Sequence, residues 1–174
     1  MTTLKKLLLN RLSGATRIAV LGIGSDLRAD DAAGIIAAAQ LKKTLASRER
    51  PGAIKVFMGE TAPENLTGEI KRYNPSHLVM IDTINFGRRA GSTFVFSADD
   101  LGAGDSFSTH KMPAKVLIDY LVKSVGCAAI IIGIQPKSLE FGKPLSRIAE
   151  RAAERVAKIL KDVLPSIKPK KNEV

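Results

Sequence analysis

Apolar residues along this chain follow two alternating patterns. Five short runs, "RIAVLGIG", "IKVFMGE", "HLVMID", "STFVFSA" and "AAIIIGIQ", have the β-branched and aliphatic make-up of strands. Four of them are nearly continuous in hydrophobicity, as expected of strands covered on both faces. "STFVFSA" begins soon after the turn-like "FGRRAG" and is predicted to run antiparallel at one edge. Between the runs, apolar residues recur at helical spacing. Ala32, Ile35, Ile36 and Ala39 form one face after the first strand, with Asp30 or Asp31 as the predicted N-cap. Thr61 and Glu64 have capping-box spacing ahead of Leu66, Ile70 and Tyr73. Pro113 opens a helix whose apolar residues are Val116, Leu117, Tyr120 and Leu121. Pro144 opens the last, where Leu145, Ile148, Ala149, Ala152, Val156, Ile159, Leu160 and Val163 hold the period. Leu4, Leu8 and Leu12 predict a leading amphipathic helix.

This alternation predicts one α/β domain around a mostly parallel sheet. The expected organisation is a leading helix over residues 1–16, the α/β domain over 17–164, and a basic, disordered tail over 165–174. The longest apolar runs, such as "CAAIIIGI", are far short of a membrane span. The opening "MTTLKKLLLNRLSGA" has too short an apolar stretch for a secretory signal. A single cysteine, Cys127, rules out an internal disulfide and reads as buried core; a cytoplasmic setting is expected.

Charge changes the picture less than its total suggests. The formal net charge is +10, which invites a nucleic-acid reading. Residues 1–17 contribute +4 and the tail "KPKKNEV" another +2, leaving a body in which 20 basic residues face 16 acidic ones. No aromatic-rich basic stripe accompanies them, so no nucleic-acid partner is expected.

In such folds ligands bind beyond the carboxyl ends of the strands. Asp30 and Asp31 follow the first strand in "VLGIGSDLRADDAAG", Gly59 and Glu60 follow the second, Asp82 ends the third, and Gln135 ends the last. His110 lies in "FSTHKMP", just before the helix that Pro113 opens. Asp31, Asp82 and His110 thus fall on one edge. Two carboxylates and an imidazole suit a divalent transition metal with coordination positions left open. Each also has a structural reading: Asp30 as a cap, Asp82 as a loop anchor, Glu60 and Glu64 as loop and capping residues, Gln135 as a backbone partner. His77 reads as an exposed loop residue. "GIGSDLRADDAAG" lacks the third glycine of a dinucleotide loop and the lysine of a P-loop, and its acids would repel phosphate. Ser108 is two residues from His110 with no third orienting group, so no serine-protease arrangement is indicated.

The blocks "VLGIGSDLRADDAAG", "GETAPEN", "HLVMIDTINFG", "STHKMP" and "GIQP", in this order over about residues 17–162, resemble the maturation endopeptidases of nickel–iron hydrogenases. The likeness is to the type that processes formate-hydrogenlyase hydrogenase large subunits. It implies a three-layer fold, a twisted, mostly parallel five-stranded sheet with helices on both faces. It also implies a single cleavage that removes a C-terminal peptide from the large-subunit precursor once nickel is inserted. The family's metal-contacting aspartates match Asp31 and Asp82, and its histidine matches His110. Nickel would come held by the substrate, with zinc or cadmium able to substitute in isolated protein. Asp30, as neighbour and cap, is a helper that would orient the loop or act as a base, with capping ranked first. The sequence departs from the family pattern at Ser25, where asparagine is usual, and at Ala32 and Ala33 ahead of Gly34, where glycine usually follows the acids. Two alternatives stay open at this point: a metal-binding regulatory module, and an RNA-linked α/β hydrolase resembling peptidyl-tRNA hydrolase.

Overall fold

The run that becomes β1 (Ile18–Ile23) is buried at all six positions, because the strand is walled in on both sides and on both faces. The structure, a computed structural model, describes residues 3–46, 53–97 and 114–167. The elements follow in the order α1 (Thr3–Arg11), β1, α2 (Ala33–Leu45), β2 (Ile54–Glu60), α3 (Thr67–Tyr73), β3 (His77–Thr83), β4 (Thr93–Ser97), α4 (Ala114–Val125), β5 (Ala128–Ile134) and α5 (Arg147–Val163). The strand order is β2-β1-β3-β5-β4. The first four are parallel, and β4 runs antiparallel to β5 at one edge, as its position after a turn predicts.

Residues alternate between two cores along each strand. Val20, Val79, Ile81, Ile130 and Ile132 pack against α1, α2 and α5, where Leu8, Leu12, Leu41, Val156 and Leu160 are fully buried. Leu21, Leu78, Met80 and Ile131 pack on the other face against Ile70 and Tyr73 of α3 and Leu117, Ile118 and Leu121 of α4. The architecture is therefore the expected three-layer α/β fold.

Several local expectations change. The buried side of α2 is Ala33, Gly34, Ala37, Ala38 and Leu41, while Ala39 faces solvent. The stripe is offset because α2 presses its small residues onto the sheet. A Cβ added at Gly34 would sit 2.5 Å from the Ile81 carbonyl oxygen, so only glycine lets the helix start this close to β1 and β3. In α4, Ile118 is buried and Val116 and Tyr120 are about half exposed. Neither aspartate caps α2, and Thr61 does not cap the 3-10 turn Pro63–Leu66; neither start has a side-chain cap. Helix α5 begins after Ser146, whose side chain accepts from the Ala149 N–H, rather than at Pro144. His77 is the first residue of β3, half-buried, with burial pushing its pKa down. Leu164–Ser166 forms a 3-10 turn and Ile167 packs into the α1/α2/α5 core; residues 168–174 lie outside the described residues. Among the described residues no helix is long and apolar enough to cross a membrane.

Candidate active site

From β1 the chain moves outward to β2 on one side, and β3 lies on the other. The carboxyl ends of β1 and β3 therefore flank a topological switch point, where loops diverge and leave a crevice. The residues that follow β1 and end β3 are those singled out above.

The loop from Gly24 to Ala32 is held in shape by its backbone. Gly24 has φ +139°, and a Cβ there would run into the carbonyl oxygen of Asp31. Ala29 has φ +44°, an uncommon conformation for a residue with a Cβ. Its N–H donates to Lys143 O at 3.1 Å, and the next N–H, of Asp30, donates to Ser138 O at 3.1 Å. The loop is thus pinned to the segment between β5 and α5. Such strain persists only where the surroundings enforce it.

Asp30 supplies the strongest part of that enforcement. Its side chain is fully buried and accepts from Lys137 N at 2.6 Å, Ser138 N at 3.3 Å, Ser146 N at 2.7 Å and Ser146 Oγ at 2.9 Å. With four donors on two oxygens, Asp30 acts as a structural anchor, replacing its expected role as cap of α2. Its own carbonyl accepts from Thr83 Oγ1 at 2.9 Å, which ties the loop to the end of β3.

Asp31 turns back onto the loop, accepting from the Ser25 N–H at 2.8 Å. That contact uses the backbone of Ser25, so the departure at this position leaves it intact. Asp82, at the end of β3, is fully buried. Its Oδ1 accepts from the Thr83 N–H at 2.7 Å, while Oδ2 is buried with no hydrogen-bond partner. Burial pushes the Asp82 pKa up to about 8, the Thr83 N–H partly offsets this, and the neighbouring Asp31 charge adds to the rise. A buried carboxylate oxygen without a donor, next to a second carboxylate, is the arrangement a cation resolves. Among the described residues no three His, Cys, Asp or Glu side chains gather as a metal site. Asp31 and Asp82 come together; His110 and Ser108 lie outside the described residues.

The remaining strand-end residues organise loops. Gln135 Oε1 accepts from Phe86 N at 2.7 Å and Arg88 N at 3.3 Å, and its Nε2 donates to Asn85 Oδ1 at 2.9 Å. Glu60 is exposed with φ +49°, and its carbonyl accepts from Gly24 N at 3.0 Å. Cys127 is buried just before β5, its thiol pushed up by burial, as expected of a core residue. Sequence reasoning missed Thr83, which ties the Asp30 loop to the end of β3, and Ser146, which ties it to the start of α5. Ser146 ahead of "RIAERAAERV" carries an N-cap signal that Pro144 obscures.

The chain matches the family model for hydrogenase maturation proteases over residues 35–163. It is similar to the hydrogenase 3 maturation protease of Escherichia coli, 31% identical over 137 residues that make up 79% of this chain and 84% of that one. The crystal structure of a [NiFe] hydrogenase maturation protease from Thermococcus kodakarensis superimposes with a TM-score of 0.83 at 30% identity, over 92% of this chain and 99% of that one. The solution structure of an endopeptidase of the same type from Escherichia coli has a TM-score of 0.70 at 29% identity, over 84% of this chain and 90% of that one. These matches support the peptidase reading, not the regulatory-module or RNA-linked alternatives. With the family model matched over most of the chain and relatives about 30% identical over more than two thirds of it, the chain belongs to the hydrogenase maturation protease family.

Proposed function

We propose that this protein is the endopeptidase that removes a C-terminal peptide from the nickel-loaded large-subunit precursor of a nickel–iron hydrogenase. The observation that carries the reading is the unpartnered Oδ2 of Asp82 beside Asp31 at the switch point. Two converging carboxylates with an unsatisfied buried oxygen suit a metal centre better than a neutral peptide. Asp31, Asp82 and His110 would contact the nickel that the substrate brings, and zinc or cadmium would compete for the same donors in isolated protein. The ion, when bound, polarises a carbonyl or lowers the pKa of a water. Asp82 must lose its proton to ligate, so the contact strengthens as pH rises toward about 8. Asp30 and Thr83 keep the two carboxylates at that spot. The net reaction adds water across one peptide bond, leaving a new carboxylate on the subunit and a new amine on the released peptide. Docking that depends on the ion makes nickel insertion the condition for cleavage.

The test mixes the protein with a C-terminally extended large-subunit precursor, with and without nickel, and reads masses. Loss of a C-terminal peptide only from the nickel-loaded sample is expected. Asp31→Ala and His110→Ala are each expected to slow it by about 100-fold or more, on the order of 3 kcal/mol of lost transition-state contact. Cleavage independent of nickel would overturn the metal-contact reading, and no cleavage from any nickel-loaded precursor would overturn the peptidase assignment.

A further inference from the structure

Beyond the carboxylate pair, the same edge of the sheet carries a second built surface. Arg88 and Arg89, in the loop after β3, and Arg151 and Arg155, on α5, line a groove of about 810 Å³ at the start of β4. Arg155 is committed, its Nη2 donating to Gly91 O at 2.8 Å. Arg88, Arg89 and Arg151 are exposed, and among the described residues their guanidinium groups have no hydrogen-bond or ion-pair partner. Three unpaired guanidinium groups around one groove form a planar-donor array suited to carboxylates.

The groove continues along a strand edge that is unpaired among the described residues. β4 is the last strand of the sheet. Ser92 O accepts from Gln135 N at 2.9 Å, and Thr93 is registered on Ile134. Antiparallel pairing alternates, so Thr93 and Val95 turn their N–H and C=O groups away from β5. Alongside them lies a second hollow of about 460 Å³, walled by Leu7 of α1 and Ile159 of α5. A half-buried edge strand whose outer backbone groups are unpaired among the described residues is a template for an added strand.

We propose that this edge docks an extended, acidic segment of the protein substrate. Its main chain pairs with Thr93 and Val95, its carboxylates sit on Arg88, Arg89 and Arg151, and an apolar side chain fills the Leu7–Ile159 hollow. The free backbone donors and acceptors and the apolar continuation select a peptide over other polyanions. Strands β3 and β4 are separated only by β5, so the groove lies roughly 10 Å across the sheet from Asp82. One extended chain can therefore span both surfaces. The proposal rests on the peptidase reading and adds a docking surface to it.

The test uses the full chain and the nickel-loaded precursor. Amide exchange at Thr93 and Val95, followed by NMR, is expected to slow at least about tenfold when the precursor is added. The double variant Arg88→Glu/Arg151→Glu is expected to raise KM at least about tenfold, with kcat within about twofold and an unchanged Tm. Arg88→Gln/Arg151→Gln, which removes charge without reversing it, should give an intermediate KM. Unaltered exchange at β4, or a KM unmoved in both variants, would overturn the docking surface. If the wild-type protein cleaves no precursor, the peptidase reading fails separately, and protection at Thr93 and Val95 still decides the docking proposal.

Discussion

Asp30 and Asp82, both at the carboxyl edge of the sheet, are in opposite conditions. Asp30 has four donors on its carboxylate, and removing the carboxylate leaves Lys137, Ser138 and Ser146 without their acceptor. Asp30→Ala is expected to lower stability by about 3 kcal/mol, read by chemical denaturation, since hydrogen bonds to a buried charge exceed neutral ones. Asp82 is the reverse case, a carboxyl whose ionised form is poorly supported. Its pKa is about 8 in the folded chain against 3.8 as the ordinary value. Between those values the native state binds more protons than the unfolded state, so this group lowers stability progressively as pH rises from about 4 to about 8. Asp82→Asn should therefore raise Tm at pH 8 by about 3 °C or more and leave it nearly unchanged at pH 4. Equal Tm shifts at both pH values would contradict the assignment of the proton. The sequence pointed to both aspartates through their place after apolar runs. It could not tell which was satisfied, because Asp30's donors lie 107 to 116 residues away.

At the level of elements, α2 shows how a helix is placed by what it lacks. Gly34 meets the carbonyl oxygens of Ile23 and Ile81, and Gly22 faces Ala38, so glycine and alanine set the distance between α2 and the sheet. Gly34→Ala is expected to destabilise by about 3 kcal/mol and, by pushing the loop outward, to separate Asp31 from Asp82. Loss of cleavage with full retention of Tm would contradict that coupling. Periodicity identified α2 but offset its buried stripe, with Ala32 buried, Ile36 packed on the core and Ala39 exposed, because it weighs large residues and the closest contact is made by small ones. In α4, Leu117 and Leu121 of the apolar set are buried together with Ile118, while Val116 and Tyr120 are about half exposed. Strands were more legible. β1, β3 and β5 are buried along nearly their whole length, because a run buried on both faces leaves its mark in composition alone; β2, at an edge, is mostly half-buried, and β4 has the predicted direction.

Across the whole molecule, α1 joins the main core rather than standing apart from it. Leu8 and Leu12 are fully buried in the cluster that includes Val156 and Leu160 of α5. Leu8→Ala is expected to cost about 3 kcal/mol in a denaturant titration, the range for a large-to-small change in a packed core. A change under about 0.5 kcal/mol would mean that α1 contributes little to the fold. The strand order determines where the chemistry can be. Because β2 and β3 lie on opposite sides of β1, the loops after β1 and β3 part above the sheet, and only there can two acidic loops face one crevice.

Patterns carried by neighbouring residues were enough to determine the class of fold, the five strands, the antiparallel edge and the place of Asp30, Asp31, Asp82 and Gln135 at the carboxyl edge. These properties depend on local burial and period, which composition records directly. Tertiary structure alone decided which aspartate is an anchor and which has an oxygen to spare, which face of each helix is buried, and that arginines from the β3–β4 loop and α5 line one groove. Those depend on partners far apart in the chain, and single-residue patterns hold no record of distance in space.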